Sequence, residues 1–316
     1  MKYIRELREG TRISGIYLCK FRQSAVTKNG KPYDNVILQD KTGTIDGKIW
    51  EPNSVGIDEF EALDYIEVMG DVNSFAGALQ ISIKRARKAS EGEYDPADYL
   101  PVSPYDNKAM YEKIVDYVNS VKNEKIRELL TGMFVEDTEL VDEFRHHSAA
   151  KSVHHSFVGG LMQHTLRVTQ LCDSYCRIYP LLNRDLLIAG ALCHDIGKLE
   201  ELASFPNNDY TDDGQLLGHI VIGYGMLRDR IAKIPGFPQK TASELYHLIL
   251  SHHGELEFGS PKKPALIEAF ALHHADNTDA KLQTMSELLS SSEPGTEWLG
   301  YQRLLETNIR RTTPLV

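Results

Sequence analysis

The stretch LLIAGALCHDIGK, residues 186–198, decides the fold of most of this chain. Its first eight residues are apolar or small, which predicts a helix that is buried on all sides. The run ends in His194 and Asp195, two polar side chains that are costly to bury without partners. We therefore expect this helix at the centre of a helical bundle, where its end delivers an imidazole and a carboxylate to a shared cavity.

More residues of the same two types lie in the helical-looking sequence around this stretch, namely His164, His219, His252, His253 and Asp276. Imidazole nitrogen and carboxylate oxygen are ligands of divalent metals, and different helices of a bundle can bring such residues together. A metal-dependent hydrolase is therefore the first hypothesis. Because adjacent helical residues point about 100° apart, the sequence leaves open which of His252 and His253 is a ligand.

Helical periodicity continues through residues 105–316. Apolar residues recur there at spacings of three and four, beginning with Tyr111, Ile114, Val115 and Val118. We predict an all-α bundle for this part. The preceding residues 89–104 cannot form one continuous helix and are interpreted as a linker, because they contain Gly92, Pro96, Pro101 and Pro104.

Residues 1–88 show the alternation that is typical of β-strands. Segments such as RISGIYLCKF, VILQDKTGTIDGKIW and ALQISIKRA are separated by turn signals at Gly30, Gly43 and Gly77. Five short strands with such turns predict a small barrel. The segment VILQDKTGTIDGKIW, two strands around a tight turn that end in Trp50, resembles the OB-fold, which commonly binds single strands through stacked aromatics and a groove that follows the phosphates.

Aromatic residues and lysines are the candidate nucleic-acid contacts of this barrel. The stacking candidates are Tyr17, Phe21, Tyr33, Trp50 and Phe75. The phosphate-binding candidates are Lys28, Lys31 and Lys48. Several aromatics must fill the interior of so small a barrel, so packing in the core is the alternative for each aromatic ring.

Composition and charge bound the class of protein. The 316 residues are 41% hydrophobic and 25% charged, as in a globular chain that is long enough for two domains. The net charge of −10 is unevenly placed: residues 1–88 have fourteen Lys and Arg against twelve Asp and Glu, and the remainder has twenty-one against thirty-three. This acidity argues against coating nucleic acid by bulk attraction, although bound cations would offset it locally. Without a CxxC pair or a bilayer-length apolar run, we expect a soluble, unexported protein without disulfides.

The set of candidate ligands resembles that of the HD phosphohydrolase superfamily. The core pattern of that superfamily, His, His-Asp and Asp, matches His164, His194, Asp195 and Asp276. The extra histidines are similar to the expanded set of members that bind two metals. The resemblance implies that His164, His194 and Asp276 hold one ion, that Asp195 bridges and takes part in catalysis, and that His219 with His252 or His253 holds a second ion. Mn²⁺, Fe²⁺, Co²⁺ and Mg²⁺ all suit such ligands.

Three further residues near these ligands are candidates for contact with substrate. Lys198, one turn beyond Asp195, is interpreted as a catalytic group that reaches a phosphate or the leaving oxygen, with an ordinary exposed lysine as the alternative. His154 and His155 precede the glycine pair that opens the His164 helix. They are candidates for lining the substrate entry, and a loop or capping role is the alternative.

Four segments of the helical part carry a more specific likeness: HHSFVGGLMQHTL, ALCHDIGKLEEL, SHHGELEFGSPKKPALIEA and HHADNTDAK. With the barrel before them, the chain looks over nearly its full length like the YhaM family of bacterial 3′-to-5′ exoribonucleases. The resemblance implies a multidomain α+β protein, with an OB-like barrel before an all-α HD domain. It also implies stepwise removal of nucleotides from the 3′ end of single-stranded RNA. The sequence leaves open whether single-stranded DNA is a further substrate. The same resemblance implies two divalent ions per chain, with manganese as the first choice. It also implies a cytoplasmic location and a homo-oligomer.

Two other functions remain as alternatives. One is an HD-type phosphodiesterase of cyclic dinucleotides or nucleotides, a branch that usually follows its paired histidines with a Gly-Tyr-Pro loop. Here the sequence is HHGELEFGSPKKP, so that loop is absent. The other is a non-catalytic regulator that binds single strands, in which the helical domain is a scaffold. Such a scaffold would not need Asp195 and Asp276 together with four or more histidines.

Overall fold

The chain forms two compact units, each described here by itself. The computed structural model describes residues 2–75, 77–151, 155–293 and 295–313. The first unit comprises Met1–Val102 with Phe205–Asn207, and the second comprises Ser103–Ser204 with Asn208–Val316. Within the described ranges, no helix combines the length and the apolar composition needed to cross a bilayer.

The first unit is a closed five-stranded barrel, as the sequence predicts. Its strands are β1 (Arg12–Val26), β2 (Pro32–Asp40), β3 (Gly43–Ile49), β4 (Tyr65–Phe75) and β5 (Ala78–Lys88). Their order around the barrel is β1-β2-β3-β5-β4, and β4 closes the barrel by pairing with β1. All neighbouring pairs are antiparallel except β3 with β5, which are parallel with Ile49 opposite Ile83. This is the strand order of an OB-fold.

The barrel interior follows from the alternation of the strands. Because successive side chains of a strand point to opposite faces, every strand contributes one apolar row to the core, represented by Ile13, Val36, Ile45, Val68 and Ile81. The segment after β5, where the sequence predicts a linker, lies against this barrel. Tyr94 stacks on Tyr65 with ring centroids 3.9 Å apart, and Tyr99 is 5% exposed. The first unit accordingly extends to Val102.

The second unit is a bundle of helices. They are α1 (Asn107–Ser120), α2 (Glu124–Thr131), α3 (Thr138–His146), α4 (Gly160–Ile178), α5 (Arg184–Cys193), α6 (Lys198–Glu201), α7 (Asp212–Leu216), α8 (Gly218–Ile231), α9 (Gln239–Ser251) and α10 (Ile267–Ser291). A short hairpin, β6 (Trp298–Gln302) with β7 (Thr307–Arg310), follows α10. The expectation of an all-α bundle over residues 105–316 misses this hairpin, because its mostly exposed strands lack the alternation of a half-buried strand.

Polar residues set the starts of several helices. The side chains of Asp106, Asn123, Asp137 and Asn183 accept hydrogen bonds from backbone N–H groups in the first turns of α1, α2, α3 and α5. Helix α5 then runs through the middle of the bundle, and every residue from Leu186 to Cys193 is buried. It contacts α4, α9 and α10. These helices bring the candidate ligands His164, His194, His252 and Asp276 together.

Candidate metal centre

The first group of ligands comes from three helices. His164 lies on α4, His194 follows the last residue of α5, and Asp276 lies on α10. Nε2 of His164 is 3.2 Å from Nε2 of His194 and 3.1 Å from Oδ1 of Asp276. The donor atoms of all three residues lie within 4.8 Å of one another, which suits one shared ion.

The second group comes from α8 and from the end of α9. His219 is the second residue of α8, and His252 and His253 directly follow α9. Their donor atoms also lie within 4.8 Å of one another. The structure therefore brings both members of the His252-His253 pair close to His219. His252 is fully buried, whereas His253 is partly exposed.

Asp195 lies between the two groups. Its Oδ2 is 3.3 Å from Nε2 of His164 and 3.4 Å from Nε2 of His194. Its Oδ1 is 3.5 Å from Nε2 of His219 and 3.6 Å from Nε2 of His252. One buried carboxylate therefore faces both histidine groups, one oxygen to each.

Hydrogen bonds from the second ring nitrogen orient most of these imidazoles. Nδ1 of His194 donates to the carbonyl of Ala191 (2.8 Å), Nδ1 of His252 to that of Ile249 (2.7 Å) and Nδ1 of His253 to that of Phe258 (2.8 Å). A carbonyl can only accept, so each Nδ1 carries the proton and Nε2 keeps its lone pair for a ligand. This is the tautomer that a metal site requires.

Two buried nitrogens test whether a metal fits this site. Within the described ranges, Nε2 of His219 and Nε2 of His252 have no hydrogen-bond partner, although each is buried. Buried polar atoms are nearly always satisfied, and both of these nitrogens lie near Oδ1 of Asp195. Hard oxygen and borderline nitrogen donors converge here without sulfur, so the residues fit a divalent ion.

Two carboxylates accept hydrogen bonds from Nδ1 of candidate ligands, and neither was predicted from the sequence. Oε1 of Glu201 accepts hydrogen bonds from the backbone N–H and from Nδ1 of His219, each at 2.9 Å. Oδ2 of Asp279 accepts from Nδ1 of His164 at 2.8 Å. The available signal was spacing: Asp279 is three residues after Asp276 on α10 and therefore shares its face.

Neighbouring charges shift the pKa values of the buried groups in this centre. Burial alone would raise the pKa of Asp195, but Lys198 and His194 hold it well below its usual value. Burial alone would lower the pKa of His164, but hydrogen bonds with Asp195, Asp276 and other carboxylates raise it well above the usual value. Burial, followed by the neighbouring His252, lowers the pKa of His253 to about 4. Asp195 is therefore anionic, and the His253 imidazole is neutral near neutral pH.

Lys198 lies inside this centre. Its Nζ is 2.7 Å from Oδ2 of Asp195, and its side chain is 13% exposed. Burial disfavours the ammonium, but the Asp195 carboxylate reverses this and raises the pKa of Lys198. The side chain is thus a proton-bearing cation beside the carboxylate that faces both histidine groups.

The glycine of the HDIGK motif lets two segments approach closely. A Cβ atom at Gly197 would lie 2.1 Å from the carbonyl oxygen of His219, which no side chain could tolerate without movement of the backbone. Gly197 therefore allows the start of α8 to lie against the turn after α5. This approach places His219 opposite Asp195.

The barrel presents a separate surface that carries part of the predicted nucleic-acid contacts. Tyr33 stacks on Trp50 with ring centroids 5.4 Å apart, and Trp50 is 49% exposed. Nζ of Lys48 is 5.7 Å from the centroid of the Tyr33 ring. Lys28 and Lys31 are exposed beside the turn between β1 and β2. These rings and cations are among the groups that the sequence predicts to contact a single strand.

The exposed aromatics Phe21 and Phe75 also remain available on the barrel, at 43% and 72% exposure. Tyr17 does not, and the expectation that its ring stacks on a base is wrong. The ring is fully buried in the barrel core, and its hydroxyl donates to the carbonyl of Lys2 at 2.8 Å. Burial raises the pKa of Tyr17 to about 12. Tyr17 therefore packs in the core, which is the alternative prediction for each of these aromatic rings.

The sequence predicts that His154 and His155, which precede α4, line a substrate entry. His154 lies outside the described residues. His155 is fully buried, and its Nε2 donates to Oδ2 of Asp279 at 2.8 Å. The expectation that His155 lines a substrate entry is therefore wrong, because no part of its ring is accessible.

Comparison with known proteins agrees with this geometry. Residues 161–281 match the HD domain family, and this range contains both groups of candidate ligands. The helical unit is thus that of an HD-type phosphohydrolase, a hydrolase that depends on divalent metal. The 3′-5′ exoribonuclease YhaM of Geobacillus sp. (strain WCH70) is 36% identical over 287 residues, which cover 90% of this chain and 87% of that protein. The chain belongs to the YhaM family of 3′-5′ exoribonucleases, as its sequence motifs predict.

Two solved structures match shorter parts of the chain. A replication protein A heterotrimer bound to ssDNA is 20% identical, covering 27% of this chain and 62% of that chain, with a TM-score of 0.22. The second OB-fold domain of replication protein A from Methanococcus maripaludis is 23% identical, covering 29% of this chain and 96% of that chain, also with a TM-score of 0.22.

Proposed function

We propose that this protein is a divalent-metal-dependent exoribonuclease that removes nucleotides stepwise from the 3′ end of single-stranded RNA, and that it also accepts single-stranded DNA. The observation that carries the proposal is the position of Asp195, whose two oxygens lie within 3.6 Å of imidazole nitrogens from both histidine groups. A carboxylate in that position, with unpartnered buried nitrogens beside it, suits a pair of cations better than one.

In this proposal His164, His194 and Asp276 would hold one ion. His219, His252 and His253 would hold a second, and Asp195 would serve both as a shared carboxylate ligand. Divalent ions in such a site activate water and neutralise the charge that develops on the phosphoryl oxygens. Mn²⁺ is our first choice, and Fe²⁺, Co²⁺ and Mg²⁺ also suit these donors.

The protein groups around the ligands supply orientation and charge. The ammonium nitrogen of Lys198 lies 2.7 Å from Oδ2 of Asp195, from where it can meet a substrate phosphate or protonate the leaving oxygen. Glu201 holds His219 through two hydrogen bonds. Asp195 and His194 are buried in the protein interior, where the low dielectric constant strengthens each of these electrostatic interactions.

We assign the binding of the strand to residues 1–88 and phosphodiester hydrolysis to residues 105–316; of the predicted linker 89–104, the part up to Val102 belongs to the barrel unit. On the barrel, Phe21, Tyr33 and Trp50 offer ring faces for base stacking, and Lys28, Lys31 and Lys48 offer cations to the phosphates. In this proposal the protein acts in the cytoplasm as a homo-oligomer.

The test is a denaturing gel of 5′-labelled single-stranded RNA, incubated with metal-stripped protein with and without Mn²⁺. We expect a ladder that shortens from the 3′ end only in the lanes with Mn²⁺. The same reaction with 3′-labelled RNA should release labelled mononucleotide from the start. Intact RNA with hydrolysis of a cyclic dinucleotide would replace this proposal with the phosphodiesterase alternative.

A further inference from the structure

The carboxylate of Asp279 joins two histidines behind the metal centre. Its Oδ2 accepts one hydrogen bond from Nδ1 of His164 and one from Nε2 of His155, each at 2.8 Å. All three residues are buried, with His155 fully so. Asp279 therefore contacts a candidate ligand on the side opposite to Asp195 and Asp276, which lie near Nε2 of the same ring.

A cation balances the other oxygen of this carboxylate. Nη1 of Arg167 lies 3.7 Å from Oδ1 of Asp279, and the same nitrogen donates to Oε1 of Gln283 at 2.6 Å. Nη2 of Arg167 donates to the hydroxyl of Tyr105 at 3.1 Å. The hydrogen bonds of His155 and His164 lower the pKa of Asp279, although burial alone would raise it. Asp279 is thus an ionised group whose orientation is set from several sides.

The backbone from His155 to Gly160 has an unusual conformation that holds His155 in place. His155 has a φ of 61°, in the left-handed region that a residue with a side chain rarely adopts. Gly159 has a φ of 79°, and a Cβ atom at Gly160 would lie 2.0 Å from the carbonyl oxygen of His155. The backbone N–H of Ala149 donates to that same carbonyl at 3.1 Å. Strained conformations persist where the surroundings over-determine them, and they cluster at functional sites.

We propose that Asp279, itself held by His155, is a positioning residue for metal binding by His164. Asp279 accepts a hydrogen bond from Nδ1–H of His164, which fixes the ring orientation and leaves Nε2 as the donor atom that faces His194 and Asp276. His155 fixes the rotamer of Asp279 through the second hydrogen bond, and the strained turn before α4 fixes His155. The inference rests on the proposed function, in which His164 is a metal ligand.

The test uses the full chain and measures metal binding directly. Metal-stripped protein is titrated with Co²⁺, and the visible absorption reports both affinity and ligand geometry. We expect Asp279→Asn to weaken Co²⁺ binding by about 10- to 100-fold, the usual effect of losing an outer partner of a ligand, and to change the absorption bands. Asp279→Asn with the affinity and spectrum of the wild type would overturn the proposal.

Asp173→Asn is the matched control. Asp173 also lies on α4 with His164, and its carboxylate accepts from Arg177 and Arg184, each at 2.7 Å. This substitution removes charged hydrogen bonds from the same helix without touching the metal centre. It should leave the Co²⁺ titration unchanged, which separates loss of positioning from general loosening of α4.

A second pair of variants decides the matter if circular dichroism shows that Asp279→Asn is unfolded. His155→Gln keeps a donor near the position of Nε2, whereas His155→Leu removes it. We expect weaker Co²⁺ binding in the Leu variant and recovery in the Gln variant; equal affinities in both would overturn the proposal. Wild-type protein that binds Co²⁺ but leaves RNA intact would refute the proposed function alone, since the titration still measures positioning.

Discussion

Replacing Asp195 by asparagine should separate chemistry from RNA binding. The carboxylate of Asp195 is 2% exposed, with one oxygen near His164 and His194 and the other near His219 and His252. An asparagine side chain of the same shape keeps one oxygen and turns an NH₂ group, which cannot bind a cation, towards the other histidine group. It also removes the negative charge that offsets bound cations.

The structure sets the size of the effect. Removing an outer partner of a metal ligand costs about 10- to 100-fold in affinity, and Asp195 contacts both groups directly. We therefore expect Mn²⁺ to bind at least about 100-fold more weakly, which corresponds to about 2.7 kcal/mol. RNA shortening at a subsaturating Mn²⁺ concentration should fall by at least the same factor. Binding of single-stranded RNA should stay within about twofold of the wild type, since a charge deep in the helical unit adds little to exposed phosphate contacts.

The assays are isothermal titration with Mn²⁺, the denaturing gel with 5′-labelled RNA, and fluorescence anisotropy for RNA binding without metal. Asp229→Asn is a suitable control, because Asp229 is an exposed carboxylate that pairs with Arg228 on α8. A folded Asp195→Asn variant that shortens RNA at the wild-type rate would refute the bridging role of Asp195. Loss of both shortening and RNA binding would refute the division of labour between the two units.

Three further changes have defined outcomes. Trp50→Ala should weaken binding of single-stranded RNA by about 1–3 kcal/mol through loss of one stacking face, while a dinucleotide should be cleaved at the wild-type rate; anisotropy and a dinucleotide assay check this. Glu201→Gln should lower the metal content of the chain through His219, with about 10- to 100-fold weaker binding of one ion, as measured by elemental analysis after dialysis. The hydrogen bond from Arg230 lowers the pKa of Asp137, so their pair stabilises the fold above the unfolded pKa of about 4 and loses this effect as the pH falls through the lower folded value. Asp137→Asn, which keeps a helix cap, should therefore cost about 0.2–1 kcal/mol in urea unfolding at pH 7 and progressively less in acid.

The local sequence pattern is enough to predict most strands and helices and most candidate metal ligands. Alternation over residues 1–88 is enough to predict five strands, since each strand needs only one apolar face for the barrel core. The apolar run before His194 is enough to predict a buried helix that ends at a ligand pair. The helices of the second unit follow from spacings of three and four. The hairpin Trp298–Gln302 with Thr307–Arg310 escaped prediction, because strands that bury little carry no such pattern.

The sequence by itself determined which residue types are available: imidazoles, carboxylates and a lysine within helical segments, and aromatics with lysines on a barrel. Only the tertiary structure decided which of them meet. Asp195 faces both histidine groups because α4, α5, α9 and α10 pack together and α8 packs on α9. Glu201 and Asp279 support ligands that lie 18 and 115 residues away in sequence. Tertiary packing also buries Tyr17 in the barrel core and His155 in the helical unit. Periodicity describes one element at a time, whereas a binding site depends on distances between elements, which packing alone sets.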